Sequence, residues 1–565
     1  MDNKNVFIAV ALSMSVLLFW SAFVDPPKPL EQNKIQTSEN SNSKIKSEDN
    51  GITPNINEPI IEKKISREES IQKTNRIKLE NNKVIGSISL EGGIIDDLSF
   101  KNYKERLDSD GQVTFLSPKE TEDGYFIESG WASVGNKIEV PNNKSKWTIK
   151  ENKILSPNNP VTLEWKNNSN LVFRKKIEID NNYLFKIYQE VENNSADPVE
   201  LYPYAQITRN NTPKDLQGFF ILHEGFIAVL NDELKEDDYK DIKEKKITRE
   251  ANEGWIGITD KYWMTALVPE NGQSFKSTFL YKDAYKANFL LNEPKIVEPS
   301  SKSNTEVKIF VAAKEVQTID AYAEKEKINK LDLIIDWGWF YFFTKPLFFA
   351  ADYFFKLTGN FGIAIILITL IIRIVFFPLA NYSFKSMAKM KVLQPEMTRL
   401  KDLHKDDKVK LQQAIMALYK KEQINPASGC LPVLIQIPFF FAIYKMLFIS
   451  LEMRHQPFFG WIKDLSAQDP TSIFNLFGLI PWDPPNFLII GVWPILMGLT
   501  MFIQQKLNPA PTDPIQAKIF MFFPIFLTVI LAPFPSGLVV YWTINNILTI
   551  AQQWFIMRST KVKTN

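Results

Sequence analysis

The chain has 565 residues, of which 66 are Lys or Arg and 64 are Asp or Glu, so its formal net charge is only +2. This balance gives no general attraction to nucleic acid, and the length accommodates several domains. The single cysteine, Cys430, excludes a disulfide framework and a paired-cysteine redox or iron–sulfur site. The histidines lack metal-ligand spacing, and we predict neither a metal nor a cofactor: they are His223, His404 and His455.

The N-terminal part predicts an anchor followed by a tether. Residues 6–24 form an uncharged apolar run of 19 residues, about the length that spans a bilayer as a helix. A cleaved signal peptide is the alternative, but the run exceeds a typical signal core and no good small-residue cleavage site follows it. We therefore predict a retained anchor over 1–24. The polar stretch 25–75 is poor in aromatic residues, which predicts a disordered periplasmic tether.

From residue 76 to 332 short β-like runs are separated by Gly, Asn and Pro. Apolar and polar residues alternate in Ser87-Ile88-Ser89-Leu90, as a half-buried strand requires. Many such runs without intervening helical patterns predict one large β-sandwich domain.

The remaining sequence predicts a membrane region. Segment 333–360 combines many aromatic rings with Lys345, Asp352 and Lys356 on one helical stripe, which is typical of an amphipathic helix lying in the membrane interface. The apolar runs after it predict five spans, at 361–379, 431–449, 487–504, 519–534 and 538–557. The predicted fold class is an α+β membrane protein with six α-helical spans, a β-sandwich and a helical hairpin at 380–430.

The Lys and Arg residues of the short loops predict the orientation. Ten lie within 380–430, whereas the loop 450–486 holds only Arg454 and Lys463. The positive-inside rule therefore places 380–430 and both termini in the cytoplasm, and it places residues 25–332 on the opposite side of the membrane. We predict that this membrane is a cell inner membrane, so that residues 25–332 are periplasmic.

The predicted cytoplasmic loop has the pattern of two helices. Apolar residues of the first helix are spaced three and four apart, and Pro395 is expected to kink this helix. Apolar residues of the second helix are expected to pack against them, forming a seam between the two helices. The seam residues are Met390, Leu393, Met397, Leu400 and His404 on the first helix and Leu411, Ile415 and Leu418 on the second.

Arg373 lies inside the predicted second span, where a charge costs ~2.5–3.5 kcal/mol on insertion scales. One interpretation is an arginine that reaches the nearby cytoplasmic surface. The other is a cation in a wet cavity, favoured because no predicted span contains a carboxylate to neutralise it. Further polar residues at membrane depth are candidates for lining such a cavity: Thr369, Gln436, Thr543, Asn545 and Asn546. Each alone is better explained by a helix–helix hydrogen bond, whereas as a group beside Arg373 they favour a hydrophilic groove. Lys445 is expected to reach the outer interface.

Several motifs of the C-terminal third resemble the YidC/Oxa/Alb family of membrane protein insertases, in its Gram-negative YidC form. The motifs are Ser386-Met387-Ala388-Lys389-Met390, Leu393-Gln394-Pro395, Asn425-Pro426 with Gly429-Cys430, Leu434-Ile435-Gln436-Ile437-Pro438, Asp464 to Pro470, and Phe534-Pro535-Ser536-Gly537-Leu538. Arg373 stands where that family has its groove arginine. In the β region, Tyr202 to Ile207 and Gly254-Trp255-Ile256-Gly257 resemble the family's periplasmic antiparallel β-super-sandwich.

The resemblance implies a groove open to the cytoplasm and to lipid, in which Arg373, Thr369, Gln436, Thr543, Asn545 and Asn546 receive the polar segment of a client. It also implies a slide for the client's apolar segment along the third and fifth spans, including Leu434, Ile435, Ile437 and Pro438. The implied partners are nascent membrane proteins, the lipid bilayer, the SecYEG/SecDF translocon, and the ribosome or signal recognition machinery at the hairpin. One departure is Ala532-Pro533, where relatives often have a bulky aromatic residue.

Two other function classes fit parts of the sequence. A polytopic solute transporter with an accessory periplasmic domain would also have six spans and an intramembrane arginine, but proton coupling normally uses intramembrane Asp, Glu or His, which the spans lack. An enzyme would need a nucleophile with a nearby base. Ser536 has no histidine in any span, and His223 has no recognisable carboxylate motif beside it. We therefore expect no enzymatic activity.

Overall fold

The computed structural model describes residues 64–559 apart from 135–137, 215, 217–221, 406, 426–430, 483, 486–487 and 509–513. The predicted anchor at 6–24 and most of the predicted tether lie outside these residues.

A short helix, α1 (Arg67–Lys73), lies within the stretch predicted as a disordered tether. The Ser66 hydroxyl caps it by accepting a hydrogen bond from the Glu69 amide at 3.2 Å. The Arg67 guanidinium also pairs with the Asp97 carboxylate, which lies on a strand outside the segment. The prediction of disorder is therefore wrong for residues 67–73, because contacts with the rest of the fold order a segment whose own composition is polar.

The next part of the chain is built of strands. In chain order the described strands are β1 (Arg76–Glu80), β2 (Val84–Ser89), β3 (Ile94–Lys104), β4 (Gln112–Leu116), β5 (Tyr125–Ser133), β6 (Thr148–Glu151), β7 (Ile154–Leu155), β8 (Val161–Lys166), β9 (Leu171–Ile179), β10 (Leu184–Asn193), β11 (Val199–Arg209), β12 (Gly225–Leu230), β13 (Glu233–Asp238), β14 (Ile247–Ala251), β15 (Gly254–Thr259), β16 (Trp263–Val268), β17 (Phe275–Lys282), β18 (Ala284–Leu291), β19 (Lys295–Val297) and β20 (Ser301–Ala313). A short helix, α2 (Tyr239–Glu244), connects β13 to β14.

These strands form two sheets that pack face to face, which we call the β domain. Within the described residues the larger sheet has eleven strands, in the order β14-β17-β18-β11-β5-β3-β2-β1-β7 with β19 beside β11 and β4 beside β3. The smaller sheet has nine, in the order β13-β12-β15-β16-β20-β10-β9-β8-β6. Along β10 buried and half-buried residues alternate, because successive side chains point to opposite faces of a sheet.

One strand pair departs from the predicted antiparallel arrangement. Strand β7 runs parallel to β1, with Ile154 opposite Lys78. The long stretch of chain between the two strands supplies the crossover that a parallel pair needs. The predicted antiparallel sandwich therefore includes a short parallel pair at this edge of the larger sheet.

The interior of the β domain is filled by large apolar side chains. Trp255, Phe226 and Phe310 are each fully buried, and burying a side chain of this size contributes about 1.5–3 kcal/mol. The Tyr125 hydroxyl on the larger sheet hydrogen-bonds the Thr265 hydroxyl on the smaller sheet at 2.5 Å. Apolar packing and this polar contact together hold the two sheets in one arrangement.

The described residues after the β domain are mainly helical. Its described helices are α3 (Val316–Lys325), α4 (Tyr341–Thr358), α5 (Phe361–Val375), α6 (Phe377–Val392), α7 (Gln394–Leu403), α8 (Lys408–Lys421), α9 (Leu431–Ile449), α10 (Val492–Leu507), α11 (Pro514–Leu531) and α12 (Ser536–Ser559).

The helices follow the predicted apolar runs, with shifted ends. Helix α9 covers the predicted run at 431–449, and α10 begins five residues after the predicted start at 487. The run at 361–379 is broken, since α5 ends at Val375 and α6 begins at Phe377 with Pro378 in its first turn. Proline fits the first turn of a helix because its missing N–H has no partner there.

Within the described residues, no single helix combines the length and apolarity of a membrane span. Helices α5 and α6 meet both criteria as a pair, with a bend of 68° between them. Two shorter apolar helical segments are present at Gln436–Ile449 and Ala517–Leu531.

The predicted hairpin region contains α7 and α8 side by side, joined near His404. Pro395 lies in the first turn of α7, and the Asp407 carboxylate caps α8 by accepting hydrogen bonds from the amides of Val409 and Lys410. None of the α7 residues is fully buried. The pair therefore packs against itself through a half-buried seam.

One end of the helical region is a layer in which several helix ends meet. Phe458 packs against the start of α5, where a Cβ on Gly362 would clash with its ring, and its ring lies 5.9 Å from that of Trp493 at the start of α10. The Ser536 amide, at the start of α12, donates to the Ala467 carbonyl at 2.7 Å. Helices α5, α10 and α12 therefore begin on the same side, which we call the outer rim.

The β domain rests on this rim through charged contacts. Lys445, near the end of α9, pairs with Asp336 at 2.7 Å rather than reaching only toward an interface. Asp336 also accepts the His223 amide of the β domain at 2.9 Å. The Glu452 carboxylate accepts the Val316 amide at the start of α3 at 3.0 Å. These contacts tie the β domain to the helical region.

Candidate functional site

Arg373 lies in the last turn of α5 and is held by the facing side of α12. Its Nε donates to the Asn545 side-chain oxygen at 3.1 Å, and its Nη2 donates to the same oxygen at 2.7 Å. The Nη2 group also donates to the Asn545 carbonyl oxygen at 3.3 Å and to the Thr549 hydroxyl at 2.5 Å. Residues 545 and 549 are one helical turn apart, so both present their oxygens on one face of α12.

Gln436 joins this cluster from α9. Its side-chain amide donates to the Asn545 oxygen at 3.1 Å, so that oxygen receives hydrogen bonds from two helices. A cavity opens beside Arg373 and Gln436. It is lined by Ile372, Arg373, Phe376, Leu379, Ala380, Gln436 and Phe439.

The partners of Arg373 are neutral. Its hydrogen bonds, within the part of the chain that the structure describes, go to the side-chain and backbone oxygens of Asn545 and the hydroxyl of Thr549. Neutral acceptors orient a guanidinium without cancelling its charge, whereas a carboxylate would form a charge-compensated pair. The Arg373 guanidinium therefore gives one side of the cavity a positive charge. Contacts among α5, α9 and α12 fix its position.

The structure places the other predicted groove residues away from this cluster. Thr369 and Thr543 are buried, and their hydroxyls donate to the carbonyls four residues earlier, of Ile365 at 2.7 Å and of Val539 at 2.8 Å. Asn546 is also buried and donates to the Thr500 hydroxyl of α10 at 3.3 Å. Three of the predicted groove residues therefore meet, namely Arg373, Gln436 and Asn545.

Thr549 was not among the predicted residues. The signal that could have found it is its spacing of four residues from Asn545, which puts it on the same face of α12. Thr543 and Asn546 lie two residues before and one residue after Asn545, so the helix turns them toward other neighbours. All four residues are polar, so polarity alone does not distinguish Asn545 and Thr549, which contact Arg373, from Thr543 and Asn546.

The predicted slide lies on α9. Ile437 is 41% exposed there, and Pro438 is half-buried inside the helix. The side chains of Leu434 and Ile435 lie outside the described residues. Exposed apolar side chains also cover α11, including Phe522, Phe526 and Ile525.

Comparison with known proteins covers the whole chain. Residues 76–350 match the YidC periplasmic domain family, and residues 353–564 match the 60Kd inner membrane protein family. The membrane protein insertase YidC of Pelagibacter ubique (strain HTCC1062) is 54% identical over 565 residues, which is 100% of each chain. That of Methylorubrum extorquens (strain PA1) is 45% identical and covers 100% of this chain and 96% of its own. A crystal structure of an active YidC insertase is 18% identical, with a TM-score of 0.35 over 84% of this chain and 91% of that one.

Proposed function

Because the chain belongs to the YidC family of membrane protein insertases, we propose that it inserts membrane proteins by receiving their polar segments at Arg373. The observation that supports this is a half-buried guanidinium whose hydrogen bonds, among the described residues, go to neutral groups beside a cavity. Such a group attracts acidic or polar segments of an incoming chain more strongly than the same charge would in bulk water. The apolar segment of the client passes along exposed apolar faces such as that of Ile437 on α9.

Hydrogen bonds within the cluster also orient the Arg373 guanidinium before a client binds. Asn545 receives hydrogen bonds from both Arg373 and Gln436, so the guanidinium is oriented before any client arrives. A preorganised site loses less conformational entropy on binding than a mobile side chain would. No covalent step is involved, and the site residues serve capture alone.

The insertase activity is testable with the purified chain in liposomes. A small membrane protein with a short acidic translocated segment, added without nucleotide, is expected to become protease-protected several times more than in empty liposomes. Insertion equal to that in empty liposomes contradicts the proposal. Solute flux without insertion would instead favour the transporter, an interpretation that the family assignment leaves without support.

We further propose six spans in an inner membrane, with the β domain in the periplasm and α7 and α8 in the cytoplasm. The rim on which the β domain rests gathers the starts of α5, α10 and α12. The opposite ends of α5 and α12 lead toward the ten Lys and Arg of 380–430 and toward the basic C-terminus. The client chain, the lipid, the translocon and the ribosome or signal recognition machinery are the proposed partners.

Cysteine labelling tests this orientation. In a Cys430→Ser background, which removes the chain's only cysteine, Ile296→Cys on β19 and Leu403→Cys on α7 introduce exposed thiols, at 56% and 69% exposure. A membrane-impermeant maleimide is expected to label Ile296→Cys in intact spheroplasts and Leu403→Cys only after lysis. Labelling of Leu403→Cys before lysis contradicts the orientation.

A further inference from the structure

The loop of residues 473–482, between α9 and α10, is apolar and exposed. Its sequence, Ile-Phe-Asn-Leu-Phe-Gly-Leu-Ile-Pro-Trp, contains no charged residue. Soluble surfaces rarely leave so many large apolar side chains together in water, so such a patch marks a contact with a partner or a membrane. The exposed side chains are Ile473, Phe474, Leu476, Phe477, Leu479, Ile480 and Trp482, with exposures from 37% at Ile473 to 84% at Leu479.

The backbone of the loop holds these side chains outward. Leu476 and Phe477 have φ angles of 50° and 59°, a left-handed region that large residues rarely adopt. The turn is closed by hydrogen bonds from the Phe477 amide to the Ser472 carbonyl at 2.8 Å and from the Ile480 amide to the Asn475 carbonyl at 3.0 Å. These bonds satisfy part of the loop backbone, and its other backbone groups need water or lipid headgroups, so the loop suits the interfacial region with its side chains reaching into lipid.

The loop is attached to the outer rim. The Ile473 amide donates to the Ile490 carbonyl at 3.2 Å, directly before α10, and the Ser472 hydroxyl donates to the Leu488 carbonyl at 2.9 Å. Helix α10 continues from this point with exposed apolar residues, among them Leu499 at 53%. The loop is therefore attached at the start of a helix whose own exposed apolar residues the proposed topology places in lipid.

We propose that the 473–482 loop is seated in the outer leaflet of the bilayer, an inference that rests on the membrane topology of the proposed function. A lipid surface fits better than a protein partner, because the loop offers no charge to fix the register of a specific contact. Trp482 ends the apolar run just before Asp483, Pro484 and Pro485, and a tryptophan ring is favoured at the depth of the lipid headgroups. The loop thereby anchors the outer ends of α9 and α10 to the membrane.

Spin labelling tests the depth of the loop independently of insertion activity. In the Cys430→Ser background, a nitroxide is attached to Leu479→Cys, to Leu499→Cys as the lipid reference, and to Ile296→Cys as the water reference. The full chain is reconstituted in liposomes of phosphatidylethanolamine and phosphatidylglycerol, and collisions with oxygen and with a water-soluble nickel chelate are measured. The oxygen-to-nickel ratio at Leu479→Cys is expected to be several-fold higher than at Ile296→Cys and close to that at Leu499→Cys.

The two reference positions distinguish a failure of the loop proposal from a failure of the proposed topology. If Leu499→Cys shows the lipid ratio and Leu479→Cys the water ratio, the loop is outside the bilayer and the inference is overturned while the topology stands. Low collision rates with both reagents at Leu479→Cys would place the loop against protein and overturn it equally. If Leu499→Cys itself shows the water ratio, the proposed topology is wrong, and the loop inference fails with it.

Discussion

Replacing Arg373 by alanine is expected to reduce insertion of clients with acidic translocated segments, and to leave uncharged clients nearly unaffected. Two unit charges 4 Å apart attract by about 1 kcal/mol in water and about 4 kcal/mol near a protein surface. Since 1.4 kcal/mol corresponds to about a tenfold change in binding, capture of an acidic segment should fall between roughly fivefold and several hundredfold. The measurement is the initial rate of protease protection in liposomes at equal amounts of protein.

Asn545→Asp is the sharpest companion variant. The new carboxylate would lie within hydrogen-bonding distance of both Nε and Nη2 of Arg373, at 3.1 and 2.7 Å in the present geometry. It would neutralise the guanidinium while leaving it in place, so acidic clients should lose insertion as they do with Arg373→Ala. Thr549→Val, which removes one acceptor and no charge, is the matched control and should have a small effect.

Charge exchange separates the electrostatic role from a structural one. Arg373→Lys keeps the charge but loses the two-pronged hydrogen bond to Asn545, so an intermediate rate is expected. Arg373→Glu should be worse than alanine for acidic clients, and changing the client's acidic residue to lysine should partly restore insertion. Normal insertion of every client by Arg373→Ala at wild-type protein levels would contradict the capture role and leave Arg373 as a residue that merely reaches the surface.

The second large effect is expected where the β domain rests on the helical region. Asp336→Ala removes a carboxylate that pairs with Lys445 and accepts the His223 amide, in a pair whose side chains are 18% and 11% exposed. Removing one member of such a buried pair costs about 3–5 kcal/mol. The midpoint of thermal unfolding in detergent micelles, followed by calorimetry, should therefore fall by several degrees, and amide exchange near Asp336 should increase.

The effect should depend on pH in a defined direction. Burial alone would raise the pKa of Asp336, but the Lys445 ammonium and the amides of His223 and Gly338 lower it below its ordinary value. A carboxylate with a lowered pKa stabilises the fold above its unfolded pKa of about 4 and loses that contribution as the pH falls through the folded value. The difference between wild type and Asp336→Ala should thus be full at pH 7 and shrink below about pH 4.

Glu452→Gln is the control at the same contact. Burial raises the pKa of Glu452 to about 7, so at neutral pH the carboxyl is already partly protonated. The glutamine keeps an oxygen that accepts the Val316 amide and removes the cost of burying a charge. Its unfolding midpoint should be unchanged or slightly higher. A loss as large as that of Asp336→Ala would mean that the ionised Glu452 carboxylate itself contributes to stability at this contact.

Local sequence pattern by itself determined much of the secondary structure. The two-residue alternation around Ser87 to Leu90 predicted a strand, and β2 covers most of it. The largely apolar run at 431–449, which contains Gln436 and Lys445, predicted the helix that α9 forms. These patterns can be recognised in a sequence because side-chain directions repeat with a fixed period along a strand or a helix. That period depends only on the local backbone geometry. The same holds for Arg373, since a charge within an apolar run is conspicuous whatever its neighbours in space.

Only the tertiary structure decided which polar groups meet. Thr369 and Thr543 lie at the predicted depth, but their hydroxyls bond to carbonyls of their own helices, an option that a sequence cannot weigh against a contact across the groove. Asn545 and Asn546 are adjacent in sequence, yet a helix rotates successive residues by about 100°, so one faces Arg373 and the other faces Thr500. The pairs Arg67–Asp97 and Lys445–Asp336 likewise join segments distant in sequence. Their partners become visible only once folding has fixed which faces of the sheets and helices lie together, because a charge or an amide specifies the kind of partner it needs and not where that partner is.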